Sequence, residues 1–238
     1  MNFPSITVYP YEKLGHADHG WLNARYHFSF STYRNPQRMG FGTLRVINDD
    51  IVKAGSGFDT HPHRDMEIIT YVRKGAISHR DSEGNEGRTQ AGDVQVMSAG
   101  TGIYHSEHNH EDVDTNLYQI WIEPNKKGVA PRWDAHEFPK QPATDRLPLL
   151  VSGDGSAPLF IHQDATIHAG RLTKGTSVTH PVRQQAYILV SEGKADLDGH
   201  ILKKGDGAEV TAQNQVTIIA QEDTEILVIG VPQFAQAA

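Results

Sequence analysis

Short segments in which apolar and polar residues alternate recur along the whole chain, separated by glycine, proline, asparagine or aspartate. Alternation with a period of two is typical of a β-strand that buries one face. The clearest segments lie at 44–48, 67–72, 93–97, 117–122, 186–190, 216–220 and 225–230. Segments with the period of an α-helix are scarce and short. The pattern therefore predicts an all-β protein built from sandwiches or barrels.

Two parts of the chain repeat the same order of strand, glycine turn and strand. In the first part, residues 71–75 are followed by Gly92 and Asp93; in the second, residues 187–193 are followed by Gly205 and Asp206. Such a repeat indicates that one structural unit is used twice. We therefore predict two related β-barrels of the jelly-roll type, packed in one chain.

A stretch rich in proline and polar residues, at 124–148, interrupts the strand pattern. Such composition is typical of a linker, or of a loop packed between two domains. We predict an N-terminal barrel at 1–133, a linker at 134–147 and a C-terminal barrel at 148–238.

Charge and cysteine content narrow the classes of function. The chain has 238 residues and a net charge of -7, so a surface that coats nucleic acid is not expected. The sequence contains no cysteine, which excludes disulfides and thiolate chemistry and fits a reducing cytoplasm. We see no secretory signal and no apolar run that could cross a membrane. We expect a cytoplasmic protein without nucleic-acid or membrane partners, and a monomer is compatible with the sequence.

Histidines with alternate spacing mark the candidate site. His61 and His63 are two residues apart, and His105 and Glu107 repeat that spacing downstream. Side chains two residues apart in a strand lie on the same face. If the two strands face each other, they present three imidazoles and a carboxylate, a typical ligand set for a divalent transition metal.

The second copy lacks these ligands. Counting from the repeated glycines, the positions that correspond to the four candidate ligands hold Thr179, Pro181, Ile218 and Ala220, while His180 stands alone. We therefore expect metal only in the first barrel.

The first histidine segment resembles the first motif of the cupin superfamily. Gly55 is followed after five residues by His61 and His63, and after three more by Glu67. The next glycine, Gly75, comes one residue later than is usual for that motif. The segment otherwise has the order of residues that carries metal in cupins.

The second histidine segment resembles the second cupin motif with two departures. Gly92, Gly100, His105 and Asn109 follow in the expected order. Ser98 stands where a proline is usual, and the gap before the histidine is longer. These departures, together with the phrases around the histidines, are similar to the pirin branch of the superfamily.

The resemblance to pirins covers residues 16–131 closely and the rest more weakly. It implies two cupin barrels with one mononuclear metal, usually iron, in the N-terminal barrel. We expect Fe(II); ligands of nitrogen and oxygen without sulfur also admit Mn, Co, Ni, Cu or Zn.

The fourth ligand is open between two carboxylates. A generic cupin would use Glu67, which shares strand parity with His61 and His63. The resemblance to pirins indicates Glu107, which lies two residues from His105. We favour Glu107, and interpret Glu67 as a carboxylate that orients a ligand histidine.

Three neighbouring residues have less definite roles. Gln119 and Trp121 share one strand face, and either line the pocket or belong to ordinary core packing. His79 is interpreted as a hairpin histidine, although it could lie near the site.

The resemblance also implies a reaction. Bacterial pirins include quercetin 2,3-dioxygenases, which cleave the heterocyclic ring of a flavonol with O2 and release CO, whereas animal pirins also act as nuclear transcription cofactors. The flavonol 3-hydroxyl would bind the metal, and Glu107 or a hydroxide on the metal would accept its proton, so Glu107 is the candidate catalytic residue. The alternatives are a metal-dependent regulatory module and a non-oxidative cupin enzyme that acts on another small molecule.

Overall fold

The protein, described here by a computed structural model that covers residues 5–233, consists of β-strands and one short 3-10 helix at Tyr11–Lys13. The first barrel contains β2 (Gly15–Asp18), β3 (Leu22–Tyr26), β4 (Leu44–Val52), β5 (Gly57–His63), β6 (Glu67–Lys74), β7 (Ala76–Asp81), β8 (Glu86–Gln90), β9 (Val94–Ser98), β10 (Ile103–His108), β11 (Thr115–Ile122) and β12 (Arg132–His136). The second contains β1 (Ser5–Tyr9), β13 (Leu149–Ser152), β14 (Leu159–Phe160), β15 (Thr166–Leu172), β16 (Ser177–Pro181), β17 (Gln185–Glu192), β18 (Lys194–Leu197), β19 (His200–Lys203), β20 (Gly207–Thr211), β21 (Gln215–Ala220) and β22 (Thr224–Val231). The predicted all-β fold with two barrels is confirmed.

Each barrel is formed by a seven-stranded sheet and a four-stranded sheet. In the first barrel the orders are β12-β9-β6-β11-β4-β3-β2 and β5-β10-β7-β8. In the second they are β1-β20-β17-β22-β15-β13-β14 and β16-β21-β18-β19. The two barrels therefore repeat one architecture.

Apolar side chains form cores inside each barrel and a further core between the two barrels. Leu117 and Val72 lie in the core of the first barrel, and Val190 in that of the second. Tyr118 and Tyr187 are fully buried in the core that joins the barrels. The central strands of the large sheets are apolar on both faces because one face lines a barrel and the other contacts the neighbouring barrel.

The predicted repeat is present at the level of single hydrogen bonds. Gly92 N donates to Val72 O at 2.7 Å, and Gly205 N donates to Val190 O at 2.7 Å. The two glycines have φ angles of 83° and 84°, a region that favours glycine because it has no Cβ. The same turn thus precedes β9 in the first barrel and β20 in the second.

Two strands cross the domain limits that the sequence predicts. β1 pairs with β20 of the second barrel, with Ser5 opposite Thr211. β12 pairs with β9 of the first barrel and ends at His136, inside the predicted linker at 134–147. The predicted limits at 133 and 148 stay a prediction.

The residues that follow β12 pack against both barrels. Phe138 N donates to Asp93 Oδ1 of the first barrel at 2.9 Å. Ala143 N donates to Arg171 O of the second barrel at 2.7 Å. The segment between the barrels is thereby held on both sides.

Among the described residues, no helix is long and apolar enough to cross a membrane.

A buried histidine at the contact between the barrels makes folding depend on pH. The His27 Nδ1 atom lies 3.0 Å from Tyr187 Oη, and burial lowers the pKa of His27 to about 3, with Arg38 and Arg73 lowering it further. The unfolded chain binds this proton near pH 6.5. Because the folded chain binds this proton less readily, the neutral His27 does not reduce the free energy of unfolding above pH 6.5. On acidification from pH 6.5 towards pH 3, the free energy of unfolding falls by about 1.4 kcal/mol per pH unit.

We therefore expect a His27→Gln variant to lose less free energy of unfolding than the parent protein between pH 6.5 and pH 5. Urea unfolding at both pH values measures this difference. His200→Gln, a substitution at an exposed histidine, should leave the pH dependence unchanged. An identical pH dependence in the parent protein and His27→Gln would contradict this account.

Candidate metal centre

Two neighbouring strands bring the three predicted histidines together. β5 and β10 pair antiparallel, with His61 opposite His105 and His63 opposite Ile103. One ring nitrogen from each of His61, His63 and His105 lies within 4.8 Å of the others. The alternate spacing in the sequence therefore predicts their convergence correctly.

A β-bulge in β5 fixes the first of these rings. Between His61 and Phe58, the strand has one residue more than its partner has between His105 and Glu107. In this irregular segment, the Asp59 carbonyl oxygen lies 2.7 Å from His61 Nδ1. His61 Nδ1–H donates to this carbonyl, so the Nε2 lone pair is free to bind a metal.

A buried chain of side chains fixes the ring of His105. His79 Nε2 lies 2.9 Å from Asp81 Oδ2, and His79 Nδ1 lies 3.4 Å from His105 Nδ1. Burial raises the pKa of the Asp81 carboxyl, but hydrogen bonds from His79 and Asn85 outweigh this and hold it below its usual value. The carboxylate accepts the Nε2–H of His79, whose Nδ1 then accepts the Nδ1–H of His105. The Nε2 of His105 is left with its lone pair.

These hydrogen bonds leave two lone pairs facing each other. The Nε2 atoms of His61 and His105 are 3.1 Å apart. Two unprotonated imidazole nitrogens at this distance repel each other, whereas a cation between them attracts both. A divalent metal with bonds of about 2.1 Å to two imidazoles at right angles holds the nitrogens about 3.0 Å apart. The donor set therefore fits a transition metal.

Burial favours the neutral form of two of the three imidazoles, those of His63 and His105. It lowers the pKa of His63 to about 4 and that of His105 to about 3, with neighbouring histidines lowering both further. A histidine binds metal in its neutral form. Both rings are thus ready to bind metal at neutral pH.

Glu107 lies outside the tight group of nitrogens but lines the same cavity. Its Oε1 accepts hydrogen bonds from Gln95 Nε2 at 2.6 Å and Thr70 Oγ1 at 3.0 Å, and its Oε2 accepts one from Gln119 Nε2 at 2.8 Å. A carboxylate has about four lone-pair positions. One position on Oε2 therefore remains for a metal or a proton.

Glu67 lies on the opposite face of β6. Its neighbour Ile68 lines the cavity. The Glu67 carboxylate accepts a hydrogen bond from Ser98 Oγ at 2.7 Å and another from the backbone of His162. Burial raises the pKa of Glu67. The interpretation of Glu67 as a carboxylate that orients a ligand histidine is wrong, because its partners belong to another face of the sheet.

Aromatic side chains surround the histidines. The cavity has a volume of about 320 Å³ and its wall includes Trp21, Phe30, Phe58 and Trp121. The Trp121 ring lies 4.9 Å from the His63 ring and 5.4 Å from the Phe30 ring, in edge-to-face geometry. Gln119 also lines the cavity. Of the two alternatives for Gln119 and Trp121, the structure thus supports the pocket.

Two polar residues that line the cavity are not predicted from the sequence. Asn48 and Asp50 of β4 line it, and the Oδ1 atom of each is buried without a hydrogen-bond partner among the described residues. Burial, Asp49 and Glu107 raise the pKa of Asp50 well above its usual value. A signal is present in the sequence, because three consecutive polar residues, Asn48, Asp49 and Asp50, interrupt a strand that is buried over most of its length.

Substitution of Asp81 by asparagine is expected to weaken metal binding by about 10- to 100-fold, because it removes the anchor that orients His79 and through it His105. Competition with a chelator of known affinity measures this change. Glu83→Gln, at an exposed position in the same hairpin turn, is the matched control and should bind as the parent protein does. Equal affinity in Asp81→Asn would show that the chain of side chains does not orient His105.

The fold and site together define the class of the protein. It is a cupin with two barrels. Within residues 5–233, the group of histidines that can hold a metal lies in the first barrel. The Pirin family profile matches residues 8–122, and the profile of the quercetinase C-terminal cupin domain matches residues 149–231.

Relatives and solved structures agree with these matches. A protein of Pseudomonas aeruginosa that carries the provisional name quercetin 2,3-dioxygenase is 50% identical, covering 93% of this chain and 97% of its own length. The quercetin 2,3-dioxygenase of Escherichia coli K12 is 41% identical, covering 92% and 95%. The crystal structure of the Escherichia coli bacterial pirin YhhW in complex with nickel(II) has a TM-score of 0.89 at 39% identity, covering 96% and 100%. The chain belongs to the pirin family.

Proposed function

We propose that this protein is a metal-dependent dioxygenase that cleaves the heterocyclic ring of a flavonol such as quercetin. The observation that carries the proposal is the position of three imidazoles and one buried carboxylate on the wall of an aromatic cavity of about 320 Å³. The names of the Pseudomonas and Escherichia relatives support the same substrate class.

The proposed ligands are His61, His63, His105 and Glu107, and the proposed native metal is Fe(II). A set of nitrogen and oxygen ligands also accepts Mn, Co, Ni, Cu or Zn, and the related YhhW structure contains nickel. When bound, the metal lowers the pKa of a coordinated hydroxyl and supports reaction with O2.

Glu107 is the proposed proton acceptor for the flavonol 3-hydroxyl. Hydrogen bonds from Thr70, Gln95 and Gln119 hold its carboxylate in place. These three donors occupy three of about four lone-pair positions of the carboxylate, so Glu107 can accept a proton without breaking the three hydrogen bonds. Glu107 therefore combines a fixed position with a free acceptor.

The cavity wall supplies the contacts that a flavonol needs. Phe58, Trp21 and Trp121 offer apolar surface and aromatic edges to planar rings, and they exclude water from the site. Asn48 and Asp50 place unpartnered oxygens in the same wall. Those oxygens would accept hydrogen bonds from ring hydroxyls, so the cavity matches a polyhydroxylated planar molecule.

Oxygen uptake tests the proposed substrate class. The Fe(II)-loaded protein is expected to consume one O2 per quercetin, and to consume none with luteolin, which lacks the 3-hydroxyl. His63→Ala serves as the control for oxidation by free iron. Equal uptake with both compounds, or with the variant, would contradict the proposed binding of the 3-hydroxyl. Quercetin turnover without O2 would instead identify a non-oxidative enzyme.

A further inference from the structure

The second barrel contains a cavity of its own, with a volume of about 290 Å³. Two histidines that the proposed function does not use, His168 and His180, line it. Their ring centroids are 4.6 Å apart in edge-to-face geometry. His180 is only 5% exposed, so the pair belongs to the interior of the barrel.

Strand pairing shows that this cavity corresponds to the metal cavity of the first barrel. Asn48 of the first cavity lies opposite Gln119 in the β4–β11 pair. His168 lies opposite Val228 in the corresponding β15–β22 pair. His168 thus holds the place of Asn48.

His180 holds the place of His61. His61 lies opposite His105 in β10, and His180 lies opposite Val216 in the corresponding strand β21. Five residues separate His61 from Glu67, where β6 begins, whereas four separate His180 from Gln185, where β17 begins. Because of this one extra residue between β5 and β6, a count back along the sequence from the repeated glycine reaches Thr179 instead of His180.

The remaining ligand places are apolar in the second barrel. Val216 takes the place of His105, and Ile218 takes that of Glu107. Val182, whose N–H donates to Asn214 O at 2.8 Å, takes the place of His63. A metal needs three or four ligands, so two imidazoles among apolar neighbours favour an organic ligand over a metal.

The polar atoms of the cavity favour a ligand that carries a hydrogen-bonding group. His168 Nδ1 is buried and has no hydrogen-bond partner among residues 5–233. Burial lowers the pKa of both His168 and His180 to about 4. At neutral pH each ring therefore offers one N–H donor and one acceptor nitrogen, the pair of groups that a hydroxyl can satisfy.

Charge and size narrow the ligand further. The entrance carries two carboxylates, of Asp154 and Asp164, and one guanidinium, of Arg183, which lies 3.7 Å from Asp164. This balance disfavours an anion. The wall combines apolar side chains, such as those of Val182 and Ala186, with polar ones, such as those of Thr166 and Gln185, which suits a ligand with an apolar ring and a hydroxyl group. Because a cavity of about 150 Å³ holds benzene, 290 Å³ is large enough for at least a substituted single ring.

We propose that the second barrel is a binding site for a small uncharged phenol, whose hydroxyl bonds to His168 and His180. The site is separate from the metal cavity and does not depend on the proposed dioxygenase activity. With this site, the protein has two proposed ligand-binding cavities, one in each barrel.

Titration with phenol tests this site. In the metal-free His61→Ala variant, phenol is expected to shift the imidazole NMR signals of His168 and His180, whereas anisole, which lacks the hydroxyl donor, should bind at least threefold more weakly. His180→Leu, made in the same background, should weaken phenol binding about three- to tenfold, the worth of one hydrogen bond. His180→Gln should recover part of this loss, which separates the lost bond from a folding defect.

Three outcomes would overturn the proposal. The first is that phenol leaves both histidine signals unchanged up to its solubility limit. The second is that phenol binds equally to His180→Leu and to its parent. The third is that Ni(II), added without phenol, binds to His168 and His180 in the His61→Ala background, which would identify a metal site instead.

Discussion

Replacing His105 by alanine is expected to abolish metal binding and flavonol turnover together. His105 contacts the other two histidines of the group on one side, with its Nε2 3.1 Å from that of His61, and the buried His79 on the other. Loss of a residue that only orients a metal ligand through a hydrogen bond already reduces metal affinity about 10- to 100-fold. Loss of the ligand itself should therefore cost more than about 100-fold.

The metal content of the purified protein after dialysis against a chelator measures this effect. Thermal unfolding of the metal-free proteins shows whether the variant folds. His136→Ala, at an exposed position of the same barrel, is the matched control and should keep its metal. Retention of one metal per chain in His105→Ala would remove His105 from the ligand set.

Replacing Glu107 by glutamine is expected to reduce turnover by about 10²- to 10⁴-fold in metal-saturated protein. A neutral amide cannot accept the proton of the 3-hydroxyl. Its NH2 group would also face Gln95 and Gln119, which donate hydrogen bonds to the carboxylate in the parent protein. Steady-state kinetics at saturating metal, with anaerobic spectra of bound quercetin, separate proton transfer from binding.

Glu67→Gln is the matched control, because it removes the other candidate carboxylate. Since Glu67 bonds to Ser98 on the far face of β6, turnover should stay within about twofold of the parent. The opposite result, with full activity in Glu107→Gln and loss in Glu67→Gln, would make Glu67 the functional carboxylate.

The strands and the three histidines follow from short-range patterns in the sequence. β6 at Glu67–Lys74 contains the segment predicted at 67–72, and β22 at Thr224–Val231 contains that at 225–230. His61 and His63 lie on one face because they share one strand. Where a feature depends on the period of a single strand, the sequence alone predicts it well.

Features that depend on more than one strand do not follow from these patterns. The parity that relates Glu67 to His61 fails because β5 ends at His63 and β6 begins in a different sheet. The pairing of β1 with β20 joins residues almost a whole chain apart, as with Ser5 and Thr211. No local pattern encodes such contacts.

The connection between β5 and β6 explains why a count along the chain misplaces His180. It is one residue longer than the connection between β16 and β17, so positions before it are shifted by one when residues are counted back from the glycine. The pair formed by His168 and His180 appears only when residues are compared through strand pairing.

The most direct test of the central claim is a single turnover of protein loaded with Fe(II) in the absence of oxygen, followed by addition of quercetin and then O2. The account predicts one iron per chain and one CO per quercetin consumed, and neither in His63→Ala. One iron per chain with quercetin bound and no CO released on addition of O2 would contradict it.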